Sequence, residues 1–387
     1  MQEDEPPSWG FTLGVEEEYQ LIDGVTGALR SCAREVREED WSAEVRPELQ
    51  ETTVEVGTGV CRNGAELERE LRRLRAQVAA GAEARGLSIV AAGVHPFSRW
   101  EGHCRTAEER YRQIEERYGR IARDEHNFGM HVHVGVPPSL DRIRLLDVVR
   151  WYAPMLLALA SSSPIYEGED TGYASYRMVL WRRWPGTGAP PRLGAESEYR
   201  RLVGLLLAAG AITDEWAIYW SVRPHAVYPT LEFRVTDVCP SVDDAVAIGA
   251  LAQAVVVAAA EGVLAEPVGG GFSEAVVHGL LVDNEWRAMR YGLDAVLVDP
   301  GSAEGKVDMR TAICRLLDEV SDVAERLGNG PYLARIGAIL ERGTAADRIR
   351  SVYRRTGRLG PVVRWLAAET VLGTGMDRRR SQRDLAA

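Results

Sequence analysis

Residues 11–22, Phe11-Thr-Leu-Gly-Val-Glu16-Glu17-Glu18-Tyr19-Gln-Leu-Ile22, set three consecutive carboxylates inside a run of strand formers. The flanking Leu13, Val15, Leu21 and Ile22 predict a β-strand. Alternation along a strand sends Glu16 and Glu18 to one face and Glu17 to the other. Two carboxylates on one face repel, and burying them unpaired is costly. A divalent cation resolves that cost, because hard ions such as magnesium take carboxylate oxygens. A solvated strand face resolves it too, so this segment alone leaves both readings open.

Three further segments repeat the pattern. In Pro47-Glu48-Leu-Gln-Glu51-Thr-Thr-Val-Glu55-Val56, Glu48 and Glu55 flank Glu51, and Glu55 sits between two valines, where a lone carboxylate has no structural purpose. In Gly129-Met-His131-Val-His133-Val-Gly135, the two histidines share one strand face, a spacing that suits metal ligands as well as two packed imidazoles. In Leu231-Glu232-Phe-Arg234-Val, Glu232 and Arg234 share a face. They form a plain ion pair or a metal ligand beside a phosphate clamp, since arginine takes phosphate bidentately. Each segment is weak evidence by itself. Together they predict a sheet with one face lined by several cations, the arrangement a nucleotide's phosphates need.

Outward from these strands the pattern alternates between sheet and helix. Strands are predicted at 52–60, 87–94, 129–136, 216–223 and 230–236. Helices are predicted at 64–85, 107–124, 141–162, 195–210 and 243–264, the last capped by Ser241. The C-terminal third is mostly helical. Strands come with irregular helical insertions rather than strict βαβ alternation, which favours an α+β fold with a largely antiparallel sheet. Residues 10–374 are expected to form a single catalytic domain, between an N-terminal tail, 1–9, and a polar C-terminal tail, 375–387.

The chain has 387 residues and a formal net charge of −11, which argues against nucleic acid or an anionic membrane as the main partner. No apolar run approaches the ~20 residues of a membrane span. The best candidates, 202–212 and 251–260, read as buried helices. Met1 to Ser8 is acidic and contains proline, without the basic and apolar regions of a signal peptide, so none is expected there. The five cysteines are odd in number and form no CxxC, so a reducing cytoplasm is the expected location. Of 46 basic residues only Lys306 is lysine. Gly301-Ser-Ala-Glu-Gly305-Lys306 does not have the spacing of a phosphate-binding P-loop. Phosphate handling falls to arginines and metal ions.

Five motifs, taken in order, carry a resemblance. Gly14-Val-Glu-Glu-Glu-Tyr19, Gly129-Met-His-Val-His-Val-Gly135, Asp170-Thr-Gly-Tyr-Ala-Ser-Tyr-Arg177, Leu231-Glu-Phe-Arg-Val-Thr-Asp-Val238 and Asn284-Glu-Trp-Arg-Ala-Met-Arg-Tyr-Gly292 resemble the glutamate–cysteine ligase type 2 family of bacterial carboxylate–amine ligases. The resemblance implies a glutamine-synthetase-like fold: a curved, mainly antiparallel sheet forming an open funnel, with helices on its outer face. It implies ATP, two or three magnesium ions (with manganese as a substitute) and a γ-glutamyl phosphate intermediate. It assigns Glu16, Glu18, Glu48, Glu55, His131 and Glu232 to metal. Arg234, the arginine on the transferred phosphoryl group, and Glu55 take the catalytic roles. His131, His133, Asn284, Arg287 and Arg290 go to the nucleotide, and Arg177 and Tyr173 to the substrate. The segment Ser163-Pro-Ile165-Tyr166-Glu-Gly-Glu169 departs from the family, which has a Phe-Trp pair and a basic residue there. Glutamate and cysteine are therefore not fixed as the substrates by resemblance alone.

The expected reaction is ATP-dependent amide formation, with glutathione biosynthesis as its context if cysteine is the amine. Small molecules are the expected partners, with a homodimer as an admissible assembly. Three alternatives stand beside it: an ATP-dependent kinase or ligase of the same fold with an unrelated acceptor, a metal-dependent hydrolase built on His131 and His133, and an idle binding protein.

Overall fold

The computed structural model describes residues 10–37, 44–266 and 271–376. The tail expected at 1–9 and most of the one at 375–387 lie outside them.

Seven strands form one sheet: β1 (Leu13–Asp23), β2 (Val45–Pro47), β3 (Thr53–Gly57), β4 (Leu87–Val90), β5 (Gly129–Gly135), β8 (Val222–Pro224) and β9 (Thr230–Asp237). The hairpins β6 (Ile165–Tyr166) with β7 (Glu169–Asp170), and β10 (Val296–Val298) with β11 (Lys306–Asp308), stand apart. The main order is β2-β3-β1-β5-β9-β8, with β4 also on β1, and every ladder is antiparallel. β1 is the hub. Its Glu16 pairs with Gly57 of β3 on one edge and with His131 of β5 on the other. The sheet ends at β2 and β8 without closing into a barrel. This is the expected α+β class with a mostly antiparallel open sheet.

One face of β1 is apolar. Leu13, Val15, Tyr19 and Leu21 are buried against helices Gly64–Glu83 and Val242–Ala260. The first helix presents Leu67, Leu71, Leu74 and Val78 at helical spacing, and the Asn63 side chain caps it by accepting from the Ala65 and Glu66 amides. The second helix comes so close that a Cβ on Gly249 would lie 2.8 Å from Leu67. Its length and composition would suit a membrane span, longer than the runs read from sequence, but 89% of it is buried within the fold. Glu17 turns to this helix side and meets Arg75 there. Glu16 and Glu18 face the other way.

Several element bounds differ from expectation, each for a local reason. The predicted helix 107–124 is split into Glu109–Tyr118 and Arg120–Arg123 at Gly119, whose φ of 57° breaks the helix. The predicted helix 141–162 divides into Arg142–Val149 and Ala153–Ala160. Pro154, which lacks an N–H and crowds the carbonyl four residues back, starts the second piece. Of the strand expected at 216–223 only its end survives as β8, because Glu215–Ala217 winds into a 3₁₀ turn. Ser241 holds the N-cap position of helix Val242–Ala260, but its side chain makes no capping bond.

Candidate active site

The polar face of the sheet floors a cavity of about 380 Å³. Each strand brings what alternation predicts. β1 supplies Glu16 and Glu18, β3 Glu55, β5 His131, and β9 Glu232 and Arg234, while Glu48 enters from the turn after β2. Glu51 does not join them; its carboxylate accepts the Arg34 amide instead.

β9 carries a feature that alternation does not foresee. Met130 pairs with Thr236, but Val132 pairs with Phe233, so Arg234 and Val235 together oppose His131. This bulge breaks the strict alternation at Arg234, which still lines the cavity beside Glu232. There Arg234 donates to Glu232 and lies 5.1 Å from the Trp181 ring centroid. Arg223 of β8 takes the other side of Glu232, at 2.7 and 3.2 Å, while its remaining nitrogen donates to the carbonyls of Trp216 and Ile218.

The acids divide into two groups. Burial opposes ionisation of Glu232, but Arg223 and Arg234 outweigh it and hold its carboxyl well below the usual range. Burial likewise pushes Glu16 up, and His131 and His133 outweigh it and hold Glu16 low. His131 Nδ1 lies 3.4 Å and His133 Nε2 3.5 Å from the same Glu16 oxygen. The other three acids are not balanced. Burial and then the Glu48 charge raise Glu18 to about 8. Burial raises Glu48, and burial with the charges of Glu16, Glu48 and Glu18 raises Glu55 well above its normal value. Arg46, half-exposed, reaches only the rim of this cluster, 3.3 Å from Glu16 and 4.0 Å from Glu55.

This donor set fits a hard divalent cation. It is rich in carboxylate oxygen, and around Glu18, Glu48 and Glu55 it is short of positive charge. Glu16, His131 and Glu232 offer ligand atoms within 4.8 Å of one another, and so do His133, His225 and Glu232. The second trio is the poorer site. His225 Nδ1 accepts the Val227 and Tyr228 amides at 3.2 and 2.9 Å, which leaves its proton on Nε2 and no lone pair for a metal.

The remaining predicted residues separate. Arg177 lines the cavity; His133 sits just behind it, 3.3 Å from the Thr230 hydroxyl. Asn284, Arg287, Arg290 and Tyr173 are not brought to it. The Asn284 amide clamps the Val298 backbone in both directions, at 2.9 and 2.8 Å. Arg287 pairs with Asp283 at 2.5 Å, and Arg290 lies over the Tyr173 ring at 5.2 Å.

Sequence reasoning missed Arg223, Glu125 and an aromatic wall. Trp181, Trp184 and Tyr219 line the cavity with ring centroids 5.4 to 6.4 Å apart, and Trp216 and Tyr111 extend the wall. The doublet Trp181-Arg-Arg-Trp184 was the available signal, but nothing in it says which way the indoles face.

The family model described as glutamate-cysteine ligase family 2 matches residues 12–365. Proteins provisionally named glutamate–cysteine ligase 2 resemble the chain over nearly its whole length. The one from Roseiflexus sp. (strain RS-1) is 39% identical over 375 residues, 95% of this chain and 96% of that one. The one from Sorangium cellulosum (strain So ce56) is 40% identical over 368 residues, 94% of this chain and 97% of that one. Among solved structures, a glutamate–cysteine ligase from Francisella tularensis in complex with AMP superposes with a TM-score of 0.67 at 13% identity, covering 97% of this chain and 93% of that one. A bifunctional glutathione synthetase from Pasteurella multocida gives 0.66 at 14% identity, over 95% of this chain. The chain spans about half of that protein, 53%. At such identities these two structures speak for the fold alone. The family match and the close relatives speak for descent: the chain belongs to glutamate–cysteine ligase family 2, whose members are ATP-dependent ligases that form carbon–nitrogen bonds.

Proposed function

We propose that the chain activates the carboxylate of a glutamate-like substrate as an acyl phosphate at the expense of ATP and captures it with an amine. One observation carries this reading: the carboxylates of Glu18, Glu48 and Glu55 crowd one cavity without a matching cation among the described residues, beside a guanidinium, Arg234, that has a free edge.

In this reading Glu16, Glu18, Glu48, Glu55, His131 and Glu232 hold two or three magnesium ions, or manganese in their place. Such ions would supply positive charge at the phosphates and offset the charge that moves with the phosphoryl group. The chain's own groups do the rest. Arg234 Nε has no partner and donates to the phosphoryl group in flight, while Glu232 and the Trp181 face fix its plane. His131 and His133 flank the nucleotide. Arg177, buried and without a carboxylate partner among the described ion pairs, holds the substrate carboxylate. The substrate oxygen bonds to the γ-phosphorus as the bond to ADP breaks. The amine nitrogen then bonds to the acyl carbon, and phosphate leaves with the amine's proton. Positioning and electrostatics supply the rate, so no covalent protein nucleophile is needed. Asn284, Arg287, Arg290 and Tyr173 lie outside this cavity and have no contact with the reacting groups in this reading.

A hydrolase built on His131 and His133 gains no third imidazole from His225, whose Nδ1 accepts two backbone amides, and the other ligands beside them are carboxylates. A screen of phosphate release from ATP and magnesium, with glutamate and a panel of amines that includes cysteine, tests the proposal. Mass analysis of the product should show an amide of the amine consumed. Release with glutamate and another amine, but not with cysteine, keeps the reaction and removes glutathione formation as its context. ATP hydrolysis that no carboxylate stimulates would sink the proposal.

A further inference from the structure

The Asn284-Glu-Trp-Arg-Ala-Met-Arg-Tyr-Gly292 motif does not line the cavity, yet its Glu285 is only 1% exposed. One carboxylate oxygen accepts from Arg182 Nη2 at 2.8 Å and the other from the Ser221 hydroxyl at 2.5 Å. The two partners belong to different elements. Arg182 ends the short helix Tyr176–Trp181, and Ser221 directly precedes β8. Both lead to Arg234. The Ser221 carbonyl accepts the Arg234 amide at 2.8 Å, beside the bulge in β9. Trp181, the chain neighbour of Arg182, sets its ring 5.1 Å from the Arg234 guanidinium.

Helix Glu274–Tyr291, which carries the motif, also holds the other end of the short helix. The Met289 carbonyl accepts the Ala174 and Ser175 amides at 2.9 and 3.0 Å. Glu285 and Met289 are four residues apart and so share one helix face. A helix of 6 residues has few bonds of its own with which to fix an indole. Here it is pinned at both ends by one face of a longer helix. Removing the Glu285 carboxylate releases the end next to Trp181 and leaves the buried Ser221 hydroxyl without its acceptor.

We propose that Glu285 is a positioning residue for Arg234. It ties the segment that holds the Arg234 backbone to the helix whose Trp181 ring supports the Arg234 guanidinium, and it touches none of the reacting groups. Its consequence for rate rests on the phosphoryl-transfer role of Arg234; the clasp itself does not.

Steady-state kinetics and amide hydrogen exchange on the full chain test it. Glu285→Leu removes both arms of the clasp at similar volume. With ATP, magnesium, glutamate and hydroxylamine, its kcat for phosphate release should fall about 10- to 100-fold while KM for ATP stays near the parent value, the scale on which a misplaced group loses rate. Glu285→Gln, which keeps an oxygen for Ser221 and loses the charge on Arg182, should recover part of that loss; it also serves if the leucine variant does not fold. In an Arg234→Lys background either change should alter kcat by no more than about 2-fold, because the group it places is already gone. The Arg234 amide should exchange about 10-fold faster in Glu285→Leu, the scale of one hydrogen bond, while the amides of Val242–Ala260 keep their parent rates. A residue that merely supports the fold would speed all of them alike. A folded variant with the parent's kcat, losses that add fully in the double variant, or an Arg234 amide that exchanges at the parent rate would each overturn the proposal. A parent protein without carboxylate-stimulated phosphate release removes the ligase reading, and exchange at the Arg234 amide then decides the clasp.

Discussion

Glu17 and Glu18 are consecutive residues of one strand, and the fold treats them oppositely. Glu17 turns to the helix side. Its two oxygens take Arg75 at 2.9 and 2.5 Å, and the Tyr19 hydroxyl at 2.5 Å. Arg75 spends its remaining donors on the carbonyls of Pro240, Cys239 and Thr370, so every charge is answered within the chain. Glu18 turns to the cavity. It has the Gly129 amide at 2.5 Å, the repulsion of Glu48, and, among the described residues, no cation in contact. The helix side is closed architecture. The cavity side is unfinished and needs something from solution to complete it.

Breaking the closed side should have the largest effect. Arg75→Leu strands the Glu17 carboxylate at a site that is 0% exposed, and breaking a buried pair this way typically costs ~3–5 kcal/mol. Urea unfolding should show that loss. A cost under ~1 kcal/mol, typical of a surface pair, would mean that Glu17 is not structural.

The matching change on the open side should leave stability alone and remove activity. Arg234→Lys keeps Glu232 paired with Arg223, so the fold survives. Lysine cannot reproduce the planar fork. Losing one preorganised donor costs ~3–4 kcal/mol of transition-state stabilisation, roughly 100- to 1000-fold in kcat. A variant that melts normally and turns over at the parent rate would remove Arg234 from the chemistry.

A smaller effect sharpens the contrast through pH. Glu18 rises from an ordinary value of 4.5 to about 8 on folding. The folded state then holds more protons than the unfolded one across that window, so stability is full below pH 4.5 and falls as pH rises towards 8. Melts of the metal-free protein should show that decline, and Glu18→Gln should reduce it, leaving the part that Glu48 and Glu55 contribute. Magnesium at about 100 times its dissociation constant should restore ~2.7 kcal/mol at the alkaline end. A decline that magnesium leaves unchanged would detach Glu18 from the metal.

Strand parity explains why much of the site was legible. Period-two alternation separates Glu17 from Glu16 and Glu18 without any knowledge of the third dimension; that Glu55, His131 and Glu232 share the side of Glu16 and Glu18 follows from the strand register. What parity could not supply was non-local. The bulge that sets Arg234 and Val235 against His131 depends on how β9 meets β5. Arg223 and Glu125 gain meaning only from what lies across the cavity. The Asn284-Glu-Trp-Arg-Ala-Met-Arg-Tyr-Gly292 motif sits on a helix whose polar groups grip Val298 and Asp283, and a helix face read alone does not tell a clamp from a ligand contact. The helix breaks at Gly119 and Pro154 carried local signals that the apolar periodicity overrode.

The most direct test of the unfinished cavity is ATP binding by calorimetry, with magnesium and then with a chelator. The account predicts that ATP binds well with magnesium and only weakly without it, because the triphosphate would otherwise face Glu16, Glu18, Glu48 and Glu55 unshielded. Equal affinity in the two conditions would contradict it.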